Sequence, residues 1–433
     1  MNDTRLLTEI VFREDLYPRL ERNPETVQKY ADDLTVLPPI EVNQHNILID
    51  GWHRWTAHKK AAALTIPVSV TETVSEAHLL ELAIARNAAH GLQLSQADKQ
   101  SMARKIYNGT PEKERTEKKR ELARILSVSA STVQSWLSRI DKDTKDARNK
   151  RIFDKWLACW TQEEIAASEN IHKDTVSEIC RDFPDLEKSD KSRATLATYA
   201  EPDWTPPIYN VWKQQTQTAG VKHFGNSEIR WLDNLLYLYT EPFDVVLDPF
   251  AGSGSTIDLC KRRSRRYYVS DRKPIVERAD VRTHDLLDTA GRVQLPTVPR
   301  WKDVSLVYLD PPYWKQAAGQ YSQDATDLAN VPLPQFNTAL SGIVKALAAK
   351  LTGTPRTRPA YIALIIQPTQ WKAEGRQYVD HIGDMLRLVN LPVDMRYSVP
   401  YESQQCNAQM VEWAKGARRC LVLTREIVVW EVR

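Results

Sequence analysis

The sequence predicts a mixed α/β chain. A doubly wound, mainly parallel sheet fills the C-terminal half, preceded by a small α/β unit and by helical units. Three observations predict this. Apolar runs closed by an acidic residue recur after residue 240, at "VVLD", "YYVSD" and "VYLD", with a glycine turn and a helical stretch after the first. Two helical cadences interrupted by short polar turns occupy residues 118–183. Near the N-terminus, "PPIEVNQHNILIDGWHRW" alternates as strand, turn, strand and helix start.

At 433 residues the chain exceeds one ordinary core and implies several domains. Apolar residues make up 42% and charged residues 27%, the balance of a globular protein that is soluble. No run of eighteen apolar residues is present, so no membrane span is expected. The opening "MNDTRLLTEI" has neither the basic nor the apolar region of a signal peptide, which points to the cytoplasm. Cys159, Cys180, Cys260, Cys406 and Cys420 are scattered, with no CxxC and no Cys/His cluster. Reduced thiols and no metal site are expected.

The first unit, residues 1–95, holds the strand–turn–strand of Leu37–Val70, with "DGWHR" opening a helix. Free backbone N–H groups and a basic side chain at a helix start form an anion site, so Gly51, His53 and Arg54 are candidates for a phosphate. Residues 85–99 run on from this unit toward the helical region. Between Gln96 and Lys155 stand 16 Lys and Arg against nine Asp and Glu, the footprint of a nucleic-acid contact.

Residues 96–145 contain the first helix-turn-helix pattern, Lys118–Ile140. Leu122, Ala123, Ile125 and Leu126 form one apolar face, "SVSAS" the turn, and Val133, Trp136 and Leu137 the second face. Ser129 or Ser131 can cap the second helix, leaving Thr132, Gln134 and Ser135 outward near its N-terminus, where such helices meet base edges. Residues 146–187 repeat the cadence over Trp160–Phe183, with a Thr161/Glu164 capping box and with Lys173 and Thr175 in the contacting places. Lys188–Pro207 has no periodicity and marks a linker, 188–205, before a final domain, 206–433.

In that domain the first strand ends at Asp248 and a loop carrying Gly252 and Gly254 leads into a helix from about Ser255. No Gly-Lys-Ser/Thr comes after it, which excludes a P-loop. A second strand ends at Asp271 and a third at Asp285; "DVSLVYLDPPYW" is the fourth and "YIALIIQPT" the fifth. The terminal "RRCLVLTREIVVWEV" is expected to fold as an antiparallel hairpin around "TRE".

These residues carry two resemblances. Gly51, His53 and Arg54, with the neighbouring strands and the joining segment, resemble the ParB/sulfiredoxin superfamily over roughly residues 5–140. Trp52 stands where a sulfiredoxin would need cysteine, which removes that activity, while a nucleotide at this site is compatible with the resemblance. "DPFAGSGST" and "DPPY" resemble motifs I and IV of the amino-methylating DNA methyltransferases over about residues 206–433, in the order that excludes the permuted arrangement. The implied fold is a Rossmann-like methyltransferase sheet with S-adenosylmethionine as cofactor. Asp248, Phe250, Ala251, Gly252, Gly254, Asp271 and Asp285 would line its site; carboxylates at strand ends accept hydrogen bonds from ribose hydroxyls.

Asp310, Pro311, Pro312 and Tyr313 would carry catalysis. An aromatic amine is a poor nucleophile because its lone pair is delocalised into the ring. A carboxylate and a backbone carbonyl accepting its two hydrogens free that pair, and prolines fix φ and donate no competing N–H. Tyr313 would face the flipped base. In the family that these motifs resemble, Asp rather than Ser before Pro-Pro-Tyr inclines to adenine N6 over cytosine N4, so the resemblance implies adenine first. Double-stranded DNA is the expected partner and a homodimer a candidate assembly. The absence of Pro-Cys argues against cytosine-C5 chemistry, and no acidic or histidine cluster suggests a metal nuclease. The rival readings are an RNA base methyltransferase and a non-enzymatic ParB-like regulator with a vestigial methyltransferase domain.

Overall fold

The computed structural model describes residues 3–17, 19, 22–89, 94–182, 198–200, 204–213, 228–315, 324, 326–369, 378–400 and 408–433. Most of the expected linker lies outside them. The chain divides into two compact units, residues 1–148 and 149–433.

In the first unit, β1 (Asp3–Leu6), β2 (Ile40–Val42), β3 (Leu48–Asp50) and β4 (Thr65–Val70) form one sheet in the order β1-β4-β2-β3. Alternate residues Ile40 and Val42, and Ile66 and Val68, are buried, as a half-covered sheet requires. Helices α1 (Pro24–Asp32) and α2 (Trp52–Lys60) accompany it. Then come α3 (Glu76–Ala89), α4 (Gln96–Asn108), α5 (Arg115–Ile125) and α6 (Ala130–Leu157), whose C-terminal end belongs to the second unit. Ile84, Met102, Tyr107, Leu122, Leu126, Val133 and Leu137 form the helical core, so the apolar faces expected of the first helix-turn-helix do pack inward.

The second unit opens with the end of α6, then α7 (Gln162–Glu169) and α8 (Lys173–Asp182), built on Ile152, Ile165, Ala166, Val176 and Cys180. Its sheet comprises β5 (Val245–Asp248), β6 (Arg266–Asp271), β7 (Arg282–Thr283), β8 (Val304–Leu309), β9 (Ala360–Ile366), β10 (Val393–Pro400) and β11 (Thr424–Val432). The order is β10-β11-β9-β8-β5-β6-β7. Strands β5 to β9 pair in parallel and β11 runs antiparallel to both neighbours. Packed with it are α9 (Ile229–Tyr239), α10 (Ser255–Arg262), α11 (Leu333–Thr352) and α12 (His381–Val389), and α13 (Ala408–Ala417) precedes β11. Central strands β8 and β9 are buried nearly throughout, as strands covered on both faces are.

Two expectations change. The terminal hairpin is not "RRCLVL" against "IVVWEV": residues 418–423 form no strand, and β11 pairs instead with β10, with α13 in between. A bare apolar run at a sheet edge does not say which neighbour completes its ladder. The third strand is only Arg282–Thr283, so Asp285 lies beyond its end. Among the described residues, no helix is long and apolar enough to cross a membrane.

Candidate active site

Strands β6 and β7 lie on one side of β5, and β8 and β9 on the other. In an open parallel sheet this reversal makes a ligand crevice at the strands' C-terminal ends. Leu247 is in register with Val307, so β5 delivers Asp248 and β8 delivers Asp310 to that same edge.

Asp248 is buried. Its Oδ1 accepts from the Phe250 amide at 3.0 Å and its Oδ2 from the Thr256 hydroxyl at 2.5 Å. Burial pushes its pKa up to about 7 against the pull of those two hydrogen bonds, and the charges of Asp310 and Asp271 push the same way. Asp248 therefore braces the loop onto the first turn of α10. Gly252 and Gly254 hold φ of 48° and 74°, and a Cβ on Gly254 would also meet the Arg278 guanidinium at 3.0 Å. The Gly252 amide donates to Asp271 Oδ2 at 3.0 Å and the Lys273 amide to its Oδ1 at 2.8 Å, which fixes that carboxylate beside the loop. Ala251 is buried and Phe250 half-buried. Asp285 is paired with Arg272 at 2.9 Å, and Arg272 also holds Asp324 at 2.7 Å.

Asp310 and Pro311-Pro312-Tyr313 follow β8 directly. The Tyr313 hydroxyl donates to Asp310 Oδ1 at 3.1 Å, and the Arg425 guanidinium lies 5.2 Å from the Tyr313 ring centroid. Thr256, Arg272 and Arg425 escaped sequence reasoning. Thr256 was legible, since it sits within "GSGST" in the first turn of the helix; Arg425 comes from a strand 112 residues further on than Tyr313 and was not. Carboxylates at the ends of three neighbouring strands, with a glycine loop open to close approach, suit a ligand bearing cationic groups and hydroxyls. S-adenosylmethionine has both, so the residues fit it. Among the described residues, no group of three or more His, Cys, Asp or Glu could hold a metal.

In the first unit, Gly51 caps α2 with φ of 100°. Arg54 is engaged within the fold: it pairs with Asp50 at 2.7 Å and donates to the Pro38 and Pro39 carbonyls. His53 is half-buried, its pKa lowered first by burial, and its Nε2 has no hydrogen-bond partner among the described residues. At the first helix-turn-helix, Ser129 Oγ accepts from the Thr132 amide at 3.1 Å, capping α6, while Gln134 and Ser135 are exposed. At the second, the capping box forms with Thr161 and Glu164; Lys173 pairs with Glu163 at 2.5 Å and Thr175 is half-buried.

Residues 85–278 match the family model N6_N4_Mtase, DNA methylase. The match takes in Asp248 to Gly254 and Asp271 and stops before Asp310. No curated protein matches. Among solved structures, a Pnob8-like ParB-N domain is similar at 15% identity, over 32% of this chain and 69% of that one, with a TM-score of 0.28. The C-terminally truncated chromosome-partitioning protein ParB from Caulobacter crescentus, complexed to the centromeric parS site, is similar at 20% identity, over 41% and 84%, with a TM-score of 0.24. The same protein complexed with CTP-gamma-S gives 20%, over 32% and 77%, and 0.19. The seven-stranded, mostly parallel sheet is consistent with a methyltransferase fold. Residues 85–278, a little under half of the chain, are thus the part that matches the N6/N4 DNA methylase family.

Proposed function

We propose that the chain methylates an exocyclic amine of a base in double-stranded DNA, adenine N6 ahead of cytosine N4, and acts in the cytoplasm. The observation that carries this is the placing of the Asp310-Pro-Pro-Tyr segment beside the glycine loop of β5, on two paired strands. S-adenosylmethionine, held by the loop of Phe250, Ala251, Gly252 and Gly254 and by Asp271, supplies an electrophilic methyl on a sulfonium. Asp248 shapes that loop from beneath. Asp285 reaches a ligand amine if Arg272 yields it.

Asp310 accepts one hydrogen of the target amine and a carbonyl of the Pro311–Pro312 backbone the other, which localises the nitrogen lone pair. The Tyr313 hydroxyl orients Asp310, and its ring offers a face to a base taken out of the stack. Acceptors preset by proline act without reorganising as charge develops.

The same reading keeps a five-part organisation: residues 1–95, 96–145, 146–187, a linker at 188–205, and 206–433. DNA is contacted by Thr132, Gln134 and Ser135, with Lys173 and Thr175 as a second set, and a homodimer would present two such sets. A nucleotide phosphate at Gly51 and His53 would draw on Arg54 only if that side chain gave up Asp50.

The test is Asp310→Ala in the full chain. Methyl transfer should fall by at least about a thousandfold, roughly 4 kcal/mol of barrier, with S-adenosylmethionine affinity nearly unchanged. Retention of a tenth of wild-type turnover would remove Asp310 from the chemistry. Nucleoside mass spectrometry of treated DNA separates N6-methyladenine from N4-methylcytosine.

A further inference from the structure

Immediately after the Asp310–Tyr313 segment, Trp314 is fully buried, and the chain turns at Lys315 with a left-handed φ of 61°. Three bonds hold this exit. The Trp314 indole N–H donates to the Val331 carbonyl at 2.8 Å, the Lys315 amide donates to Ala329 at 3.1 Å, and the Trp314 carbonyl accepts from the Thr369 hydroxyl at 3.1 Å. The first two tie the loop to its own downstream chain. The third comes from the segment following β9.

Thr369 is itself fixed. It exchanges both backbone hydrogen bonds with Val379, at 3.2 and 2.7 Å, and its hydroxyl lies 2.9 Å from His381 Nε2. Because a carbonyl only accepts, the single hydroxyl proton goes to Trp314, and His381 must donate its Nε2–H to the Thr369 oxygen. His381 Nδ1 is then an acceptor, buried with no hydrogen-bond partner among the described residues. Burial lowers the His381 pKa to about 4, so the ring stays neutral in this tautomer. The imidazole is wedged between the Trp314 ring at 5.9 Å and the Phe336 ring at 5.3 Å, and Asp380 caps the helix it begins, accepting from the Gly383 amide at 2.9 Å.

We propose that Thr369 and His381 are positioning residues for methyl transfer: His381 orients the Thr369 hydroxyl, and that hydroxyl pins the Trp314 carbonyl so that Asp310 and the Pro311–Pro312 carbonyls stay aimed at the amine. This rests on the function proposed above. Neither residue touches the reacting atoms. Each acts through the backbone of the loop.

The test uses the full chain with Thr369→Val, Thr369→Ser, His381→Gln and His381→Phe. Thr369→Val should lower kcat at least tenfold with KM for S-adenosylmethionine within twofold, while Thr369→Ser stays within twofold of wild type on both. His381→Gln, which keeps an N–H donor, should retain more activity than His381→Phe. Independently of turnover, the Lys315 amide should exchange hydrogen faster in Thr369→Val but not in Thr369→Ser. Should Thr369→Val not fold, Thr369→Ala makes the same comparison.

Wild-type kcat and wild-type Lys315 exchange in Thr369→Val would overturn the proposal. So would a Thr369→Ser variant as impaired as Thr369→Val, because the packing rather than the hydroxyl would then matter. A wild-type chain that methylates no DNA, with Lys315 still loosened by Thr369→Val, would overturn the functional reading and leave the clamp standing.

Discussion

The two helix-turn-helix units share a backbone and differ in everything outside it. Each first helix ends in the same turn. Ser127 and Asn170 take left-handed φ of 49° and 53°, and the following amides, Val128 and Ile171, return to the carbonyls of Ala123 and Ala166 at 3.0 Å. Their charges are opposite. Residues 115–140 carry six Lys and Arg against two Asp and Glu, whereas residues 160–182 carry two against six.

In the first unit, Lys118 and Lys119 are paired with Glu81 and Asp141, but Arg120 and Arg124 are exposed and have no ion-pair partner among the described residues. In the second, Lys173 is neutralised by Glu163, and Glu164, Asp174 and Glu178 are exposed. A phosphate backbone is attracted to the first surface and repelled by the second.

Their anchoring differs too. The end of α6, which precedes the second helix-turn-helix, meets the seven-stranded sheet. Arg266, at the start of β6, donates to the Trp156 carbonyl at 3.2 Å, and Arg282, on β7, donates to the Ala158 carbonyl at 2.8 Å. Two guanidinium groups thus meet the carbonyl end of α6, where the helix dipole favours cations. Trp156 lies 4.6 Å from the Arg266 guanidinium and 5.4 Å from the Phe243 ring, and Cys159 is buried in the core of the sheet. One helix-turn-helix presents exposed positive charge, and the other is tied to the seven-stranded sheet. The motif alone does not separate the two; the surface and the anchor do.

The largest expected effect breaks or upholds the charge half of this comparison. Arg120→Glu with Arg124→Glu should weaken DNA binding by about a hundredfold near 0.1 M salt. The log–log salt slope should become shallower by about 2, close to one unit for each phosphate no longer neutralised. Lys173→Ala, by contrast, should change affinity by no more than about threefold. Fluorescence anisotropy against one duplex over a salt series measures all three. A larger loss from Lys173→Ala than from the Arg pair would make the second unit the DNA reader.

The anchor half is tested by stability. Trp156→Ala removes a large ring packed on Phe153, Phe243 and Arg266, and should cost the second unit about 2–4 kcal/mol. Its thermal transition should fall by several degrees, with weaker binding of S-adenosylmethionine. Trp136→Ala, in the first helix-turn-helix, should leave both properties of the second unit unchanged. Equal losses from the two variants would dissolve the distinction.

Both turns, the capping Ser129 and the Thr161/Glu164 box were legible in the sequence, because caps and turns are local. So were β5, β6, β8 and β9, whose apolar runs are short and sharply bounded, and the acidic residues at or just past the ends of the first three. Opposite charge was equally visible, but a window ending at residue 155 takes in only the basic half. What sequence could not show is which distant chain completes a local signal. The β10–β11 pairing, Arg425 over Tyr313, Arg54 turned to Asp50, and the Thr369–His381 contact all join residues through tertiary packing. The Arg54 case shows the limit most plainly: a helix-start arginine looks the same in sequence whether it awaits a phosphate or holds two proline carbonyls.

The smallest expected effect concerns the shared turn itself. A left-handed conformation costs an ordinary L-residue about 1 kcal/mol, and asparagine less, because its short side chain tolerates that region. Ser127 and Asn170 are both exposed, so substitution there changes the backbone with little effect on packing. Glycine removes the left-handed penalty but widens the unfolded ensemble, which returns part of the gain. Ser127→Gly should therefore stabilise the first unit by about 0.5 kcal/mol, and Asn170→Gly should change the second by less than that, in either direction. Urea unfolding monitored by hydrogen exchange in each unit resolves the two. If Ser127→Gly destabilises while Asn170→Gly stabilises, the two turns are not equivalent, and the common backbone on which the comparison stands is wrong at its pivot.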